Sequence, residues 1–174
     1  MSNNNLLWLI VILIITPTVL GADELFYLRG TSNQTTVESV TYNTVNSIPP
    51  DATATTTTIT KTTIAGINEF AVWYSDPSGV DFTFGGPMFV YFSNIGISND
   101  TGIYRWTIYE REEIGGVETQ IVQSNWYTLP SAGTAHETYA NVPSYTIQTG
   151  NRVKVVIEYD ADTGGGTITA AVDE

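Results

Sequence analysis

Arg152-Val153-Lys154-Val155-Val156-Ile157-Glu158-Tyr159 carries the clearest alternation in the chain. Val153, Val155, Ile157 and Tyr159 share one parity, and Arg152, Lys154 and Glu158 share the other. A side-chain period of two puts these sets on opposite faces of an extended strand. The first set therefore faces a core and the second faces water. Residues 103–111 repeat the pattern, with Tyr104, Trp106 and Ile108 set against Arg105, Thr107, Tyr109 and Arg111. No stretch after Ala22 sustains a helical apolar period.

Outward from these two strands, the chain alternates short strand material with turn chemistry. Residues 36–45 alternate without a clean face, as an edge strand does, and Pro49-Pro50 ends them because proline cannot donate to a ladder. Residues 55–64 are rich in threonine, a β-branched residue that suits exposed strand faces. Residues 69–74 place Phe70, Val72 and Tyr74 on one face, and Asp76-Pro77-Ser78-Gly79 turns the chain. Met88-Phe89-Val90-Tyr91-Phe92 is a continuous apolar run of the kind a central strand carries. Ile114-Gly115-Gly116-Val117 signals a hairpin leading into residues 118–129. Residues 145–147 form a short strand, and Asp160-Ala161-Asp162-Thr163-Gly164-Gly165-Gly166 reads as a loop before a last strand over residues 167–172. About nine or ten strands result. The expected fold is all-β: one β-sandwich, Ig-like or jelly-roll-like, over residues 22–174.

Residues 1–21 have a different character. A polar start, Met1-Ser2-Asn3-Asn4-Asn5, precedes an apolar run over residues 6–15, then Thr16-Pro17-Thr18-Val19-Leu20-Gly21-Ala22. This is the layout of a signal peptide cleaved after Gly21. A retained hydrophobic anchor or a pilin-like helix are the alternatives. Residues 6–20 fall short of the roughly 20 apolar residues a spanning helix needs, and no basic segment precedes the apolar run. The expected location is extracellular or on the cell surface, with membrane contact only through an uncleaved leader.

Lys and Arg number 6 against 18 Asp and Glu, for a net charge of −12. Such a surface repels phosphate backbones, so a nucleic-acid partner is not expected. With no cysteine in the chain, thiol chemistry and cysteine metal sites are excluded. The single histidine, His136, lies in loop-like sequence near Ser131 and Glu137. Three groups local in sequence do not make a converging triad, so no enzyme is expected. Calcium is the one cofactor the residues suggest. Asp160-x-Asp162-x-Gly164 concentrates carboxylates beside a turn glycine, and Glu158, Asp173 or Glu174 would complete the ligand set. Asp76, Ser78 and Asp81 form a weaker oxygen-rich loop. Asn33-Gln34-Thr35 and Asn99-Asp100-Thr101 match the N-glycosylation acceptor, which needs an exposed loop. Trp73, Trp106 and Trp126 with Tyr104, Tyr109 and Tyr127 offer either a sugar-stacking platform or core, and the in-register alternation around Trp106 favours core.

Phe26-Tyr27-Leu28-Arg29-Gly30-Thr31, Trp106-Thr107-Ile108 leading to Gly116-Val117-Glu118-Thr119-Gln120-Ile121, and Trp126-Tyr127-Thr128-Leu129-Pro130 resemble a loosely defined group of secreted archaeal β-sandwich surface proteins, some of them filament-subunit-like. The resemblance spans much of residues 25–160. It implies an extracellular β-sandwich and carries over no catalytic residue. The expected function is a secreted structural subunit of a cell-surface assembly (filament, pilus, sheath or layer), a homo-oligomer or polymer joined by β-strand donation. The expected donor is the segment after the leader, through Leu25, Phe26, Tyr27 and Leu28. The alternative is an adhesin or carbohydrate-binding module that uses calcium.

Overall fold

A computed structural model describes residues 27–28, 34–46, 56–131 and 133–173. The leader, Leu25, Phe26 and the Asn33 acceptor lie outside the described residues. The strands are β1 (Tyr27–Leu28), β2 (Gln34–Val37), β3 (Val40–Asn46), β4 (Thr56–Tyr74), β5 (Phe82–Ser98), β6 (Gly102–Arg111), β7 (Glu118–Gln123), β8 (Tyr127–Thr128), β9 (Thr134–Ile147) and β10 (Arg152–Asp173). The fold is all-β, and the described residues form ten strands. Among the described residues no helix is long and apolar enough to cross a membrane.

All ten strands belong to one hydrogen-bonded sheet, in the order β1-β3-β4-β10-β5-β9. β2 pairs with β3, β6 pairs with β10, and β7 and β8 pair with β6. The long strand β10 holds this arrangement together. Its first half, Arg152 to Ala161, runs antiparallel to β6 from Arg111 to Gly102. Its second half pairs Thr167–Asp173 with Thr62–Thr56 of β4, and Thr167–Ala170 with Ser98–Ile95 of β5. Register slips against β4 fall between Ala161 and Gly164 and between Gly164 and Thr167. Bulges of this kind bend a strand. Here they let one strand serve two layers.

The layers meet through side chains. The Trp106 indole N–H on β6 donates to Thr138 Oγ1 on β9 at 2.9 Å. Tyr104 on β6 bonds His136 Nδ1 on β9 at 2.9 Å. β6 and β9 share no backbone ladder, so these bonds span the space between two faces of the folded sheet, as in a sandwich. Trp73, Phe92, Ile95, Tyr104, Trp106, Ile147, Ile157, Tyr159 and Ile168 fill that space. An apolar void of about 30 Å³ remains, lined by Val45, Phe84, Met88, Ile108, Val153 and Val155.

Several local readings are corrected. Residues 160–166 are not a loop between strands; they are an irregularity inside β10. Residues 65–68 do not break β4. Residues 36–45 are not one edge strand: β2 and β3 form a hairpin that turns at Glu38 and Ser39, whose φ values are +49° and +67°. Two left-handed residues in a two-residue loop match the twist of the flanking strands, and Glu-Ser carries none of the Asn-Gly signal that marks such turns. His136 sits in β9, opposite Phe92 of β5, and not in a loop. Residues 118–129 divide into β7 and β8.

Removing the Trp106 side chain leaves a large cavity and takes one of its partners from the Thr138 hydroxyl. Trp106→Ala should lower unfolding free energy by about 3–5 kcal/mol in a urea titration. Thr138→Val should cost about 1–3 kcal/mol by leaving the indole N–H unsatisfied. Unchanged midpoints for both variants would contradict this packing.

Candidate functional site

The three residues expected to bind calcium do not converge on one point. Glu158 stands opposite Arg105 across the β6–β10 ladder, and its Oε2 accepts from Arg105 Nε at 2.8 Å. Asp160, half exposed, stands opposite Ile103. Asp162 lies past the last β6 pairing; its N–H donates to Thr101 O at 2.9 Å and its carboxylate accepts the Thr101 hydroxyl. Asp81 of the weaker loop accepts the Thr149 N–H and hydroxyl at 2.7 and 2.6 Å. Among the described residues, no three of His, Cys, Asp and Glu are grouped so as to hold a metal ion.

The carboxylate that organises this end of the molecule is Asp100, the middle residue of the second glycosylation acceptor. It accepts from Thr101 N at 2.8 Å, Thr63 Oγ1 at 2.9 Å, Gly164 N at 2.8 Å, and Thr163 N and Oγ1 at 3.2 and 2.9 Å. Thr63 Oγ1 in turn accepts the Gly166 N–H at 2.9 Å. One side chain thus ties the β5–β6 turn to both slips of β10. Dehydration pushes the Asp100 carboxyl up, but these donors outweigh it and hold it down at about 2. Asn99 is exposed in the same turn with φ +59°, a conformation asparagine tolerates. The signal for Asp100 was the Asp-Thr pair, since Asp readily bonds nearby backbone N–H groups. Its remote partners had no such signal.

The described cations are committed elsewhere. Arg105 also bonds Gln123 at 3.2 Å and stacks 4.4 Å from the Trp126 ring centroid. Lys154 meets Glu118 at 2.7 Å, and Arg111 meets Glu38 at 2.7 Å and Glu118 at 3.1 Å. Arg152, buried, donates to Thr35 Oγ1 and Ser75 O, both at 2.9 Å, and pairs with Glu113. Lys61 donates to Glu69 O. Buried Glu110 accepts from Tyr145 Oη at 2.6 Å and from Gln148 N and Asn151 Nδ2 at 2.8 Å. Burial and the Glu110 carboxylate push the Tyr145 hydroxyl up to about 12. His136 is held by Tyr104, whose hydroxyl burial pushes up to about 12. Glu137, next along β9, faces the other way, so His136 and Glu137 do not converge.

The six aromatics named in the sequence do not make a platform. Trp73, Tyr104 and Trp106 are wholly buried, and Tyr109, Trp126 and Tyr127 are half-buried. A different set is exposed. Phe89, Tyr91 and Tyr139 are 58%, 61% and 59% exposed on the outer face of β5 and β9. Phe89 pairs with Tyr139 across the ladder, ring centroids 6.1 Å apart, and Tyr91 pairs with Glu137. The Met88 to Phe92 run is thus apolar on both faces but buried on one: Met88 and Val90 are half-buried, and Phe92 is buried. Sequence reading missed this surface because a run without alternation hides which residues face out, and because residues 134–137 read as loop.

β9 ends the sheet order, yet its exposed edge is obstructed. Tyr127 Oη on β8 donates to Tyr139 O at 2.8 Å and accepts the Tyr139 N–H at 3.3 Å. Pro143 lacks a donor. Such features discourage strand addition at an edge and leave the side-chain face as the available surface of β9.

Because Asp100 titrates below the 3.8 of a free Asp carboxyl, its stabilising effect is present above about pH 4 and is lost as pH falls toward 2. Thermal unfolding should show wild-type Tm falling through that window. Asp100→Asn should lower Tm at pH 7 and flatten the acid limb. A variant with the wild-type acid slope would refute the hub. Gly164 has φ +80°, and a Cβ there would sit 2.9 Å from Ala65 N, so Gly164→Ala should destabilise by strain at the same corner.

No family model and no curated protein matches the chain. Among solved structures it is similar to an aminopeptidase from the marine sediment archaeon Thaumarchaeota archaeon, with TM-score 0.52 and 9% identity over 85% of this chain and 34% of that one. It is also similar to an α-amino acid ester hydrolase, with TM-score 0.53 and 10% identity over 86% of this chain and 34% of that one. The chain spans about a third of the length of either protein, and at these identities the likeness is one of fold.

Proposed function

We propose that this chain is an extracellular, non-enzymatic interaction module that binds an extended glycan through the outer face of β5 and β9. The observation that supports this reading is the contiguous exposure of Phe89, Tyr91 and Tyr139. Grouped exposed aromatics mark interaction surfaces, whereas scattered ones do not. Rings offer a large apolar contact at low conformational cost, and the C–H face of a sugar ring lies flat against them. Two residues along a strand advance about 6.6–6.8 Å, and neighbouring strands lie about 4.8 Å apart, so this open face suits an extended chain better than a small enclosed ligand. The engagement of His136 by Tyr104, and of Glu110, Glu113 and Glu158 by their own partners, favours a binding role over acid–base chemistry.

A second reading, the surface-assembly subunit, draws on β1. Tyr27 and Leu28 pair antiparallel with Asn46 and Val45 of β3. If the leader is removed, this segment becomes free to exchange with a neighbour's copy, and β3 is then the seat for strand donation while Tyr127 guards β9.

Pull-down with insoluble polysaccharides should retain the wild-type protein. Phe89→Ala and Tyr91→Ala should each weaken retention at least about tenfold, the scale of aromatic anchor residues, with little change in the unfolding midpoint. A soluble monomer retained by no polysaccharide would sink the binding reading. Under the assembly reading, negative-stain microscopy should show ordered polymers that deletion of residues 22–29 converts to monomers; polymers that survive the deletion would exclude donation by that segment.

A further inference from the structure

Glu137 stands among the exposed rings without a partner among the described residues. It pairs in register with Tyr91, and Tyr139 follows two residues along β9, on the same face as Phe89. Its side chain is exposed, and among the described residues no hydrogen bond or ion pair engages it. Other acids of the fold answer to a donor: Glu158 to Arg105, Glu118 to Lys154, Glu113 to Arg152, Asp100 to a ring of hydroxyls and amides. No Lys or Arg among the described residues is available to Glu137, because Lys61, Arg105, Arg111, Arg152 and Lys154 are bonded elsewhere.

From this arrangement, and resting on the glycan-binding reading above, we infer that the outer face of β5 and β9 selects a basic glycan, a polymer of amino sugars carrying free protonated amines, with Glu137 as the charge partner and Phe89, Tyr91 and Tyr139 as the stacking surface. Three lines of physical chemistry meet here. A cation over an aromatic face is attracted by the ring quadrupole. An ammonium donating to a carboxylate forms a charge-assisted hydrogen bond, stronger than one between neutral groups. A net charge of −12 raises the local concentration of a polycation and repels a polyanion. Charge also argues against a second copy as the occupant. That copy carries the same −12, and its described cations are held in its own ion pairs or, for Lys61, on the Glu69 carbonyl.

The test is isothermal titration of the full chain with a short glucosamine oligomer and with its N-acetylated counterpart, in mildly acidic, low-salt buffer. The free-amine oligomer should bind at least tenfold tighter, and added salt should narrow the gap. Glu137→Gln should remove the preference, Tyr91→Ala should weaken both ligands, and Glu112→Gln, an exposed acid in a turn away from this face, should change nothing. Equal affinity for the two oligomers, both sensitive to Tyr91→Ala, would overturn the charge selection and leave the glycan-binding face standing. Equal losses from Glu112→Gln and Glu137→Gln would reduce the effect to unspecific attraction and overturn it too. Binding of neither oligomer, together with no retention on any polysaccharide, would remove the inference and the function it rests on.

Discussion

The fold depends on one strand being shared by two layers. β10 hydrogen-bonds to β6 along its first half and to β4 and β5 along its second. A regular strand cannot do this, because its two edges keep the same neighbours along its length. The irregularity between Ala161 and Thr167 makes the exchange possible. Glycine is required there for space as well as for dihedral freedom: a Cβ on Gly166 would lie 2.6 Å from Ser98 O, and one on Gly164 would meet the backbone of β4. The exposed amides of the slip are then collected by Asp100, directly at Gly164 and through Thr63 at Gly166. Strand sharing, glycine spacing and one carboxylate are parts of a single solution to a corner.

The polar residues follow the same economy. Most of the described cations are spent on the outer surface of the β6, β7 and β10 layer and on the buried junction where Arg152 meets Thr35 and Ser75, while Lys61 of β4 is held by the Glu69 carbonyl. Exposed pairs of this kind contribute little stability each. The buried polar atoms are a different matter, since each would cost free energy if left unbonded. Among the described residues no buried side-chain nitrogen or oxygen lacks a partner. The result is an uneven surface: most described cations are neutralised on the β6, β7 and β10 layer, and exposed aromatic rings gather on the face of β5 and β9.

On that other layer, the guarding of β9 and the exposure of its face act together. Tyr127 reaches from β8 to occupy the backbone of Tyr139 at the edge, while the Tyr139 ring points outward beside Phe89. Closing the edge suppresses main-chain association, so contact through this layer depends on side-chain chemistry. This is the physical basis for preferring ligand recognition here over strand addition, and for locating any strand exchange at β3.

The sequence by itself determined the all-β class, the core faces of β6 and β10, the hairpin at Gly115 and Gly116, and the burial of Trp106 with Tyr104 and Ile108. These follow from a period of two and from turn chemistry, which are local. Tertiary structure alone decided the rest. Asp160 to Gly166 reads as a loop until β4 and β5 are seen holding both sides of the continuing strand. Asp100 reads as the middle of a glycosylation acceptor until Thr63 and Gly164 arrive from distant strands. Phe89 and Tyr91 read as core because an unbroken apolar run carries no period, and they are exposed because no described strand packs over the outer face of β5 and β9. In each case the deciding partner lies far along the chain, and periodicity reports what a residue's own strand does, not what packs against it.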